Sequence, residues 1–592
     1  MSSSVNARVF LWLGLVLALW LNYDAWMRDY GPKPGEVVQS AADAGPVSNT
    51  STLEANIPTA SAPSPAAPAV APAPAPLDAT PIPAAVAGAE GEASPAAAVA
   101  ATPAVAAAST PISATIDVRT DVLDLEIGLA GGELRRADLL RYPLVKGQQR
   151  PVRLFNREVE AFYVMQTGLA GAGPGNYPTH LANFSAAQQR YALADGANEL
   201  RVPLTWSDPA TGVTVTKTYV LRRGQYAIDL EYSIENAGSA PWAAASYAQI
   251  LRDDIPKERS MFNVETYAFK GPAFYDGNKY HKISLKDAAD VSGQIKGGWI
   301  AGMQHHFVAA VVPSDTAEYR YSMKVDGRQY LLSTAGPLQQ VAPGTTATLQ
   351  EKLFVGPKLQ AQLERTGPRL DLVADYGMLT LLAKPLFWLL EQAHKLTGNW
   401  GWAIILITAL LKLVFYPLSE ASGKSMAKMR VLAPRIKNLQ ETYKDDREKL
   451  GKAMMEMYQR EKINPLAGCL PIVVQIPFFL AFYWVLLESV EMRQAPFMGW
   501  IQDLSAKDPL FVLPIIMAVA MFVQYKLNPA PPDPIQAKVF MILPLVMSAT
   551  FAFFPAGLVL YWVTNTILSI AQQWNINRRI EAAAKKGKAA AA

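Results

Sequence analysis

Apolar positions divide this chain into two regimes. From about Ile116 to Pro357 they alternate with polar ones; after Leu396 they run on without a break, in stretches long enough to span a bilayer. Alternation of period two is the mark of a strand that buries one face. Val213 to Glu235, VTVTKTYVLRRGQYAIDLEYSIE, predicts two strands joined at Arg223-Gly224. DVLDLEIGLAGGELRRADL and HFVAAVVP carry the same signal, and helical periodicity is scarce between them. Residues 116–357 therefore predict a large all-β sandwich domain.

The unbroken runs predict membrane helices. Leu396–Ser419, LTGNWGWAIILITALLKLVFYPLS, has 24 residues and one charge, Lys412. Leu466–Leu487 has 22 uncharged residues, Pro509–Tyr525 has 17 and Val539–Asn577 has 39. The last is too long for one span and divides at Phe554-Pro555-Ala556-Gly557. Near the N-terminus, Val9–Tyr23 is a 15-residue apolar run flanked and punctuated by Trp12, Trp20 and Trp26, which favours an uncleaved anchor over a signal peptide. Together these give six spans in a mixed fold: an all-α membrane core plus the sandwich.

Two amphipathic patterns lie between the runs. In residues 370–395, Leu379, Leu382, Leu386, Leu389 and Leu390 share a helical face, which predicts an interfacial helix bent near Pro385. Within 419–464, Met426, Met429, Leu432, Ile436, Leu439 and Tyr443 are spaced 3, 3, 4, 3 and 4. Lys444–Arg447 breaks the stripe, and Leu450, Met454, Met457 and Glu461 resume it. This predicts an antiparallel helical hairpin. Its methionines suit an adaptable apolar surface as well as a plain hairpin core.

Composition adds a tether. Residues 31–115 are dominated by Ala, Pro, Ser and Val, and no aromatic residue lies between Tyr30 and Tyr142. Such a segment cannot bury a core and predicts a disordered, partly extended linker. The expected organisation is a membrane anchor at 1–30, the tether, the sandwich, a linker with the interfacial helix at 358–397, the membrane core at 398–577 and a basic tail at 578–592.

Charge supplies the orientation. The hairpin 419–464 holds 11 Lys/Arg against 7 Asp/Glu, whereas the loop 488–508 holds only Arg493 and Lys507 against four acids. The positive-inside rule puts the hairpin in the cytoplasm and the loop outside. Both termini then fall in the cytoplasm, the tail with Arg578, Arg579, Lys585, Lys586 and Lys588, and the sandwich is exported. The net charge of +4 is too small to argue for nucleic acid. Cys469 is the sole cysteine, so no internal disulfide forms.

The chemistry centres on Lys412. An ionisable group at membrane depth is stable only against protein, water or a partner. Thr408 shares its face at i−4, and Gln475, Thr564, Asn565 and Thr566 add polar groups to the other spans. Pro471, Pro477, Pro514, Pro544 and Pro555 free backbone carbonyls nearby. These predict a polar, hydrated recess. The other core spans contain no Asp or Glu to neutralise Lys412, and no carboxylate or histidine marks a proton path. No nucleophile triad, phosphate-binding loop or metal cluster is present in the sequence, and no cofactor is implied. Four of the five histidines, His180, His281, His305 and His306, lie in the sandwich, and the adjacent pair is expected to point to opposite faces of a strand. The open readings are reception of an acidic segment entering the membrane, an ion or solute transporter or channel, and a sugar-acting enzyme in the sandwich.

Specific strings narrow these. SMAKMRVLAPRI, EKINPLAGCLPIVVQIPFFLAFYWVL, VEMRQAPF, DLSAKDP and FPAGLVLYWVTN resemble the bacterial branch of the YidC/Oxa/Alb family of membrane protein insertases. The resemblance covers roughly 116–580 and is most specific over 398–577. It implies a non-enzymatic insertase and chaperone in the bacterial inner membrane, with a periplasmic β-domain of sugar-mutarotase-like shape. It implies a hydrophilic groove, open to cytoplasm and lipid, that passes hydrophobic segments into the bilayer, alone or with the Sec translocon. The family's intramembrane positive residue precedes Tyr-Pro-Leu by four positions, which is Lys412 here. Its relatives usually carry arginine there. By the same carry-over Thr408, Gln475, Tyr561 and Trp562 line the groove or the slide beside it. The hairpin, with Met426, Met429, Arg430, Met454 and Met457, is the cytoplasmic reception surface. The implied partners are nascent membrane proteins, the Sec translocon, the ribosome, signal-recognition targeting factors and the lipid bilayer.

Overall fold

The alternation in Val213–Glu235 folds as read. In the computed structural model Val213–Arg222 and Ala227–Asn236 pair antiparallel, and Val213, Val215, Lys217 and Tyr219 all point inward. The structure describes residues 57, 114–158, 161–173, 175–254, 268–285, 291–443, 446–461, 470–527 and 534–591. The expected anchor at Val9–Tyr23 and nearly all of the tether 31–115 lie outside the described residues.

Strands run from Thr115 to Pro357 and form two sheets, of eleven and nine strands. Pairing within them is antiparallel except between Thr115–Arg119 and Arg190–Ala192. The sheets enclose one apolar cluster that includes Phe155, Tyr232, Trp299 and Phe354. HFVAAVVP supplies Phe307–Val312, buried at every position because both its faces are covered. DVLDLEIGLAGGELRRADL supplies Leu123–Gly128 and Glu133–Pro143. Their turn needs Gly131, at φ 76°, since a Cβ there would sit 1.9 Å from the His180 carbonyl oxygen. His305 and His306 lie in the turn between Trp299–Met303 and Phe307–Val312, not within a strand. Their rings stack at 3.8 Å instead of pointing to opposite faces.

The helices follow. They are α1, Gln360–Thr366; α2, Thr380–Thr397; α3, Trp400–Val414; α4, Tyr416–Thr442; α5, Arg447–Arg460; α6, Leu470–Glu488; α7, Val512–Leu527; α8, Pro534–Phe551; and α9, Ala556–Ala591. The expected helix over 370–395 is shorter. Two single 3₁₀ turns, Leu370–Val373 and Gly377–Leu379, precede α2. Leu370 and Val373 pack in the sandwich's apolar cluster and Asp375 pairs with its Lys282, which holds 370–376 against the sandwich, while Asp371 pairs with Lys384 of α2. From α2, Leu386, Phe387 and Leu390 enter the helical core while Leu381 and Trp388 stay exposed.

The membrane helix expected over Leu396–Ser419 is two helices in the structure. Asn399 caps α3 by accepting from the Gly401 and Trp402 amides, and the helix breaks at Phe415. Pro417 then opens α4, where its missing N–H is tolerated and its fixed φ suits a first turn. The two axes differ by 58°. Among the described residues no single helix is long and apolar enough to cross a membrane by itself, although the bent pair Trp400–Val414 and Tyr416–Ser425 is. At 1.5 Å per residue α3 alone rises only about 22 Å against a hydrocarbon core of about 30 Å.

α4 and α5 lie where the methionine stripe predicts the two arms of a hairpin. Leu432 and Ile436 are buried, and Asp446 caps α5 by accepting from the Lys449 amide at 3.0 Å. Glu461, the polar member of the stripe, pairs with Arg435 at 2.7 Å across the hairpin. The hairpin does not begin as a separate unit, because α4 is continuous from Tyr416.

One segment, Leu487–Asp508, ties the molecule together. Val490 is 1% exposed and packs in the sandwich's own apolar cluster. Arg493 donates to the Pro143 and Leu144 carbonyls at 2.9 and 3.2 Å, and Lys146 donates to the Gln494 carbonyl at 3.1 Å. His305 meets the Leu487 carbonyl at 3.1 Å. The same segment receives the helix ends. Asn399 before α3 donates to the Phe497 carbonyl at 2.9 Å, and the Ala556 and Gly557 amides of α9 bond to Ala506 and Leu504. α6 ends on this segment and α7 starts from it. The outset of α3, α7 and α9 and the close of α6 thus share the sandwich end, and α3 and α9 run away from it.

Candidate functional site

Moving away from the sandwich end, three helices change character in step. Along α3, Ala403, Ile404 and Ile407 are buried, followed by Thr408 and Lys412. Along α9, Leu558, Val559, Tyr561 and Val563 are buried, followed by Asn565, Thr566, Ser569 and Gln572. α6 runs the other way, and its buried Ala481, Phe482 and Val485 lie on the sandwich side of Gln475. An apolar plug therefore closes the bundle toward the sandwich, and a polar section lies beyond it. From Ile404 to Lys412 the change takes about 12 Å at helical rise.

Thr408, Lys412, Gln475 and Tyr561 line one recess in the polar section, together with Leu411, Phe415, Phe478 and Asn565. The structure thus gathers four of the five residues read as groove-lining from three separate helices. Trp562 is the exception. It turns away and packs on Phe479 at 4.5 Å and Phe551 at 4.6 Å, in the aromatic wall beside the recess. The recess holds about 20 Å³, room for roughly one water. It is a narrow slot with a few polar groups set in a mostly apolar lining, rather than an open channel.

Lys412 is 9% exposed. Its Nζ donates to Ser569 Oγ at 2.7 Å, and Ser569 Oγ donates in turn to the Asn565 carbonyl at 2.7 Å. Among the described residues no carboxylate pairs with it. Its carbonyl, one of the last four of α3 and so without an assured helical partner, accepts from Gln572 Nε2 at 3.1 Å. Thr408 commits its hydroxyl to the Ile404 carbonyl at 2.6 Å, so it offers the recess lone pairs and no proton. Ser569 and Gln572 escaped the sequence reading. Their signal was the i, i+4, i+7 face from Asn565, masked by the run's polar end.

On the far helices, Met454 and Met457 are half-buried in α5. Met426, Met429 and Arg430 lie on α4, and their side chains are outside the described residues. A larger cavity, about 670 Å³, lies elsewhere, at the seam between the sandwich and Arg493–Ala506, and none of the predicted groove residues line it. No group of three or more potential metal ligands occurs among the described residues.

Comparison with known proteins matches both halves. The profile of the YidC periplasmic domain covers residues 115–389, and that of the 60Kd inner membrane protein covers 392–584. The membrane protein insertase YidC of Thioalkalivibrio sulfidiphilus is 45% identical over 98% of this chain and 100% of its own length. That of Cupriavidus necator is 46% identical over 98% of both. Among solved structures, an active YidC insertase with its first transmembrane domain resolved aligns with 77% of this chain and 92% of its own, at 18% identity and a TM-score of 0.34.

Proposed function

This chain belongs to the YidC family of membrane protein insertases, and we propose that Lys412 and the slot around it receive the polar flank of each incoming segment. The protein is an insertase of the bacterial inner membrane with a periplasmic sandwich, not an enzyme. One observation supports the assignment of the site most: the axial change from apolar plug to polar slot, on three helices at one level.

A plug toward the sandwich and a slot away from it make a groove that opens on the cytoplasmic side. An arriving segment presents its polar flank to the slot, where Lys412 offers an unneutralised cation. Its apolar part meets the outward faces of α6 and α8, where Val473, Ile476, Leu545 and Val546 are 49, 42, 68 and 53% exposed. Transfer to lipid is then driven by removing apolar area from water, about 25 cal/mol per Å², and needs no nucleotide. The helical hairpin receives the segment first. The basic tail, with Arg578 and Arg579, meets the ribosome, and targeting factors and the Sec translocon deliver or share substrates. Six spans, counting Val9–Tyr23, complete the topology with both termini in the cytoplasm.

Lys412→Glu and Lys412→Arg test the charge. In cells depleted of the native insertase, Lys412→Glu is expected to reduce insertion of proteins with acidic translocated tails at least tenfold. A like charge about 4 Å away opposes such a tail by a few kcal/mol at the effective dielectric of a partly wet site. Lys412→Arg should keep activity, and neutral tails should lose less. Normal insertion of acidic tails by Lys412→Glu would overturn the assignment.

A further inference from the structure

Resting on that reading of the slot, we infer that Ser569 is a positioning residue, a neutral anchor that aims the Lys412 ammonium and sets the preference for acidic flanks. Lysine carries a point charge on a flexible four-carbon stem, with three donors and no acceptor. Left alone in a slot, it swings. Here one donor is held by Ser569 Oγ at 2.7 Å. Ser569 can only accept, because its own proton is spent on the Asn565 carbonyl at 2.7 Å, one turn back on α9. The hydroxyl therefore fixes the ammonium without neutralising it, and two N–H groups stay free for a carboxylate.

The backbone is held by the same face. Gln572, one turn further along α9, donates to the Lys412 carbonyl at 3.1 Å, beside the break at Phe415. Ser569 and Gln572 thus grip residue 412 at its tip and its root. A carboxylate at Ser569's place would hold the lysine more strongly but would occupy the charge that the substrate needs. A serine locates the cation and leaves it unpaired. A lysine needs this anchor more than an arginine, whose planar fork loses less freedom when it binds.

The test is an insertion assay in depleted cells with full-length variants matched for membrane level by immunoblot. Two reporters differ only in whether the translocated tail is acidic or neutral. Ser569→Ala is expected to lower acidic-tail insertion about three- to tenfold, the range of one lost hydrogen bond of ordinary strength, and to leave the neutral tail unchanged. Ser569→Thr should restore it, because the hydroxyl returns. In a Lys412→Arg background, Ser569→Ala should matter less than in the parent, since the two residues act as a pair. An equal loss for both tails would make Ser569 merely structural, and no loss for either would make it idle; each overturns the inference. Lys412→Glu run alongside separates the two claims. If it impairs acidic tails while Ser569→Ala does not, only the anchor falls. If neither does, the charge reading of the slot falls with it.

Discussion

At the scale of single residues, two buried lysines show how differently a cation can be kept. Lys412 keeps donors free, whereas Lys217 in the sandwich has none left. Lys217 Nζ donates to the carbonyls of Gly131, Thr167 and Gly132 at 2.9, 3.0 and 3.1 Å, and the rings of Phe184, Tyr219 and Tyr232 surround it within 5.9 Å. Lys217→Met would keep the length and take this donor from the Gly131 and Thr167 carbonyls, while the Gly132 carbonyl keeps the Tyr219 hydroxyl. A loss on the order of 3 kcal/mol follows, read as a lower denaturant midpoint for the sandwich with insertion little changed. An unchanged midpoint would mean that other donors replace the ammonium. Lys217 was legible in principle, since it continues the inward series Val213, Val215. Lys412 and Gln475 were legible because each interrupts an apolar run, whereas Tyr561 was implied only by the family resemblance. Ser569 was not legible, because a serine beside a polar end interrupts nothing. Trp562 came from the family resemblance, which left it in the groove or beside it, and the structure has it in the aromatic wall beside the recess.

At the scale of elements, the strands and the apolar helices were readable and the joints between them were not. The break at Phe415 follows from Pro417, whose missing N–H withdraws the bond back toward the end of α3. The sequence reading took Tyr416-Pro417 as the end of a span rather than the start of α4. The seam with the sandwich left no local trace: Arg493 grips a carbonyl 350 residues away. Val490 is its keystone, an outer-loop residue in the sandwich's core. Val490→Asp would forfeit about 1.5 kcal/mol of burial and add the larger penalty of a buried charge. The loop should then detach while the sandwich, which owns the rest of its core, stays folded. Amide exchange at 487–494 is expected to rise at least tenfold with strand protection retained. Unchanged exchange would show that Arg493 and Lys146 suffice to hold the loop.

At the scale of the whole molecule, the sandwich and its seam bury titratable groups whose effects on stability oppose one another. Burial pushes His180 down to about 4, His305 to about 3 and His306 well below the usual range. Between pH 6.5 and 4.5 the unfolded chain therefore binds protons that the folded one refuses, so these groups make stability fall as pH falls. Burial pushes Glu351 and Glu491 up to about 7 and raises Glu488, where Lys358 pulls the other way. In the same window the folded state holds protons that the unfolded carboxylates have released, so these groups make stability rise as pH falls. Lys217 and Lys358, drawn down by burial to about 7 and about 8, are protonated in both states there. Three histidines against three glutamates leave the sandwich transition nearly level from pH 6.5 to 4.5. Below about 4.5 the glutamates are protonated in both states and drop out, while His305 and His306 still resist. Stability should then fall at up to about 1.4 kcal/mol per pH unit for each. Melting the full-length protein in detergent from pH 7 to 3.5 checks this, with a plateau and then a descent as the expected trace. A descent that starts at pH 6.5 would mean that the glutamates are ionised in the folded state. The seam would then be held by a charged Glu488–Lys358 pair, not by burial of the neutral acid.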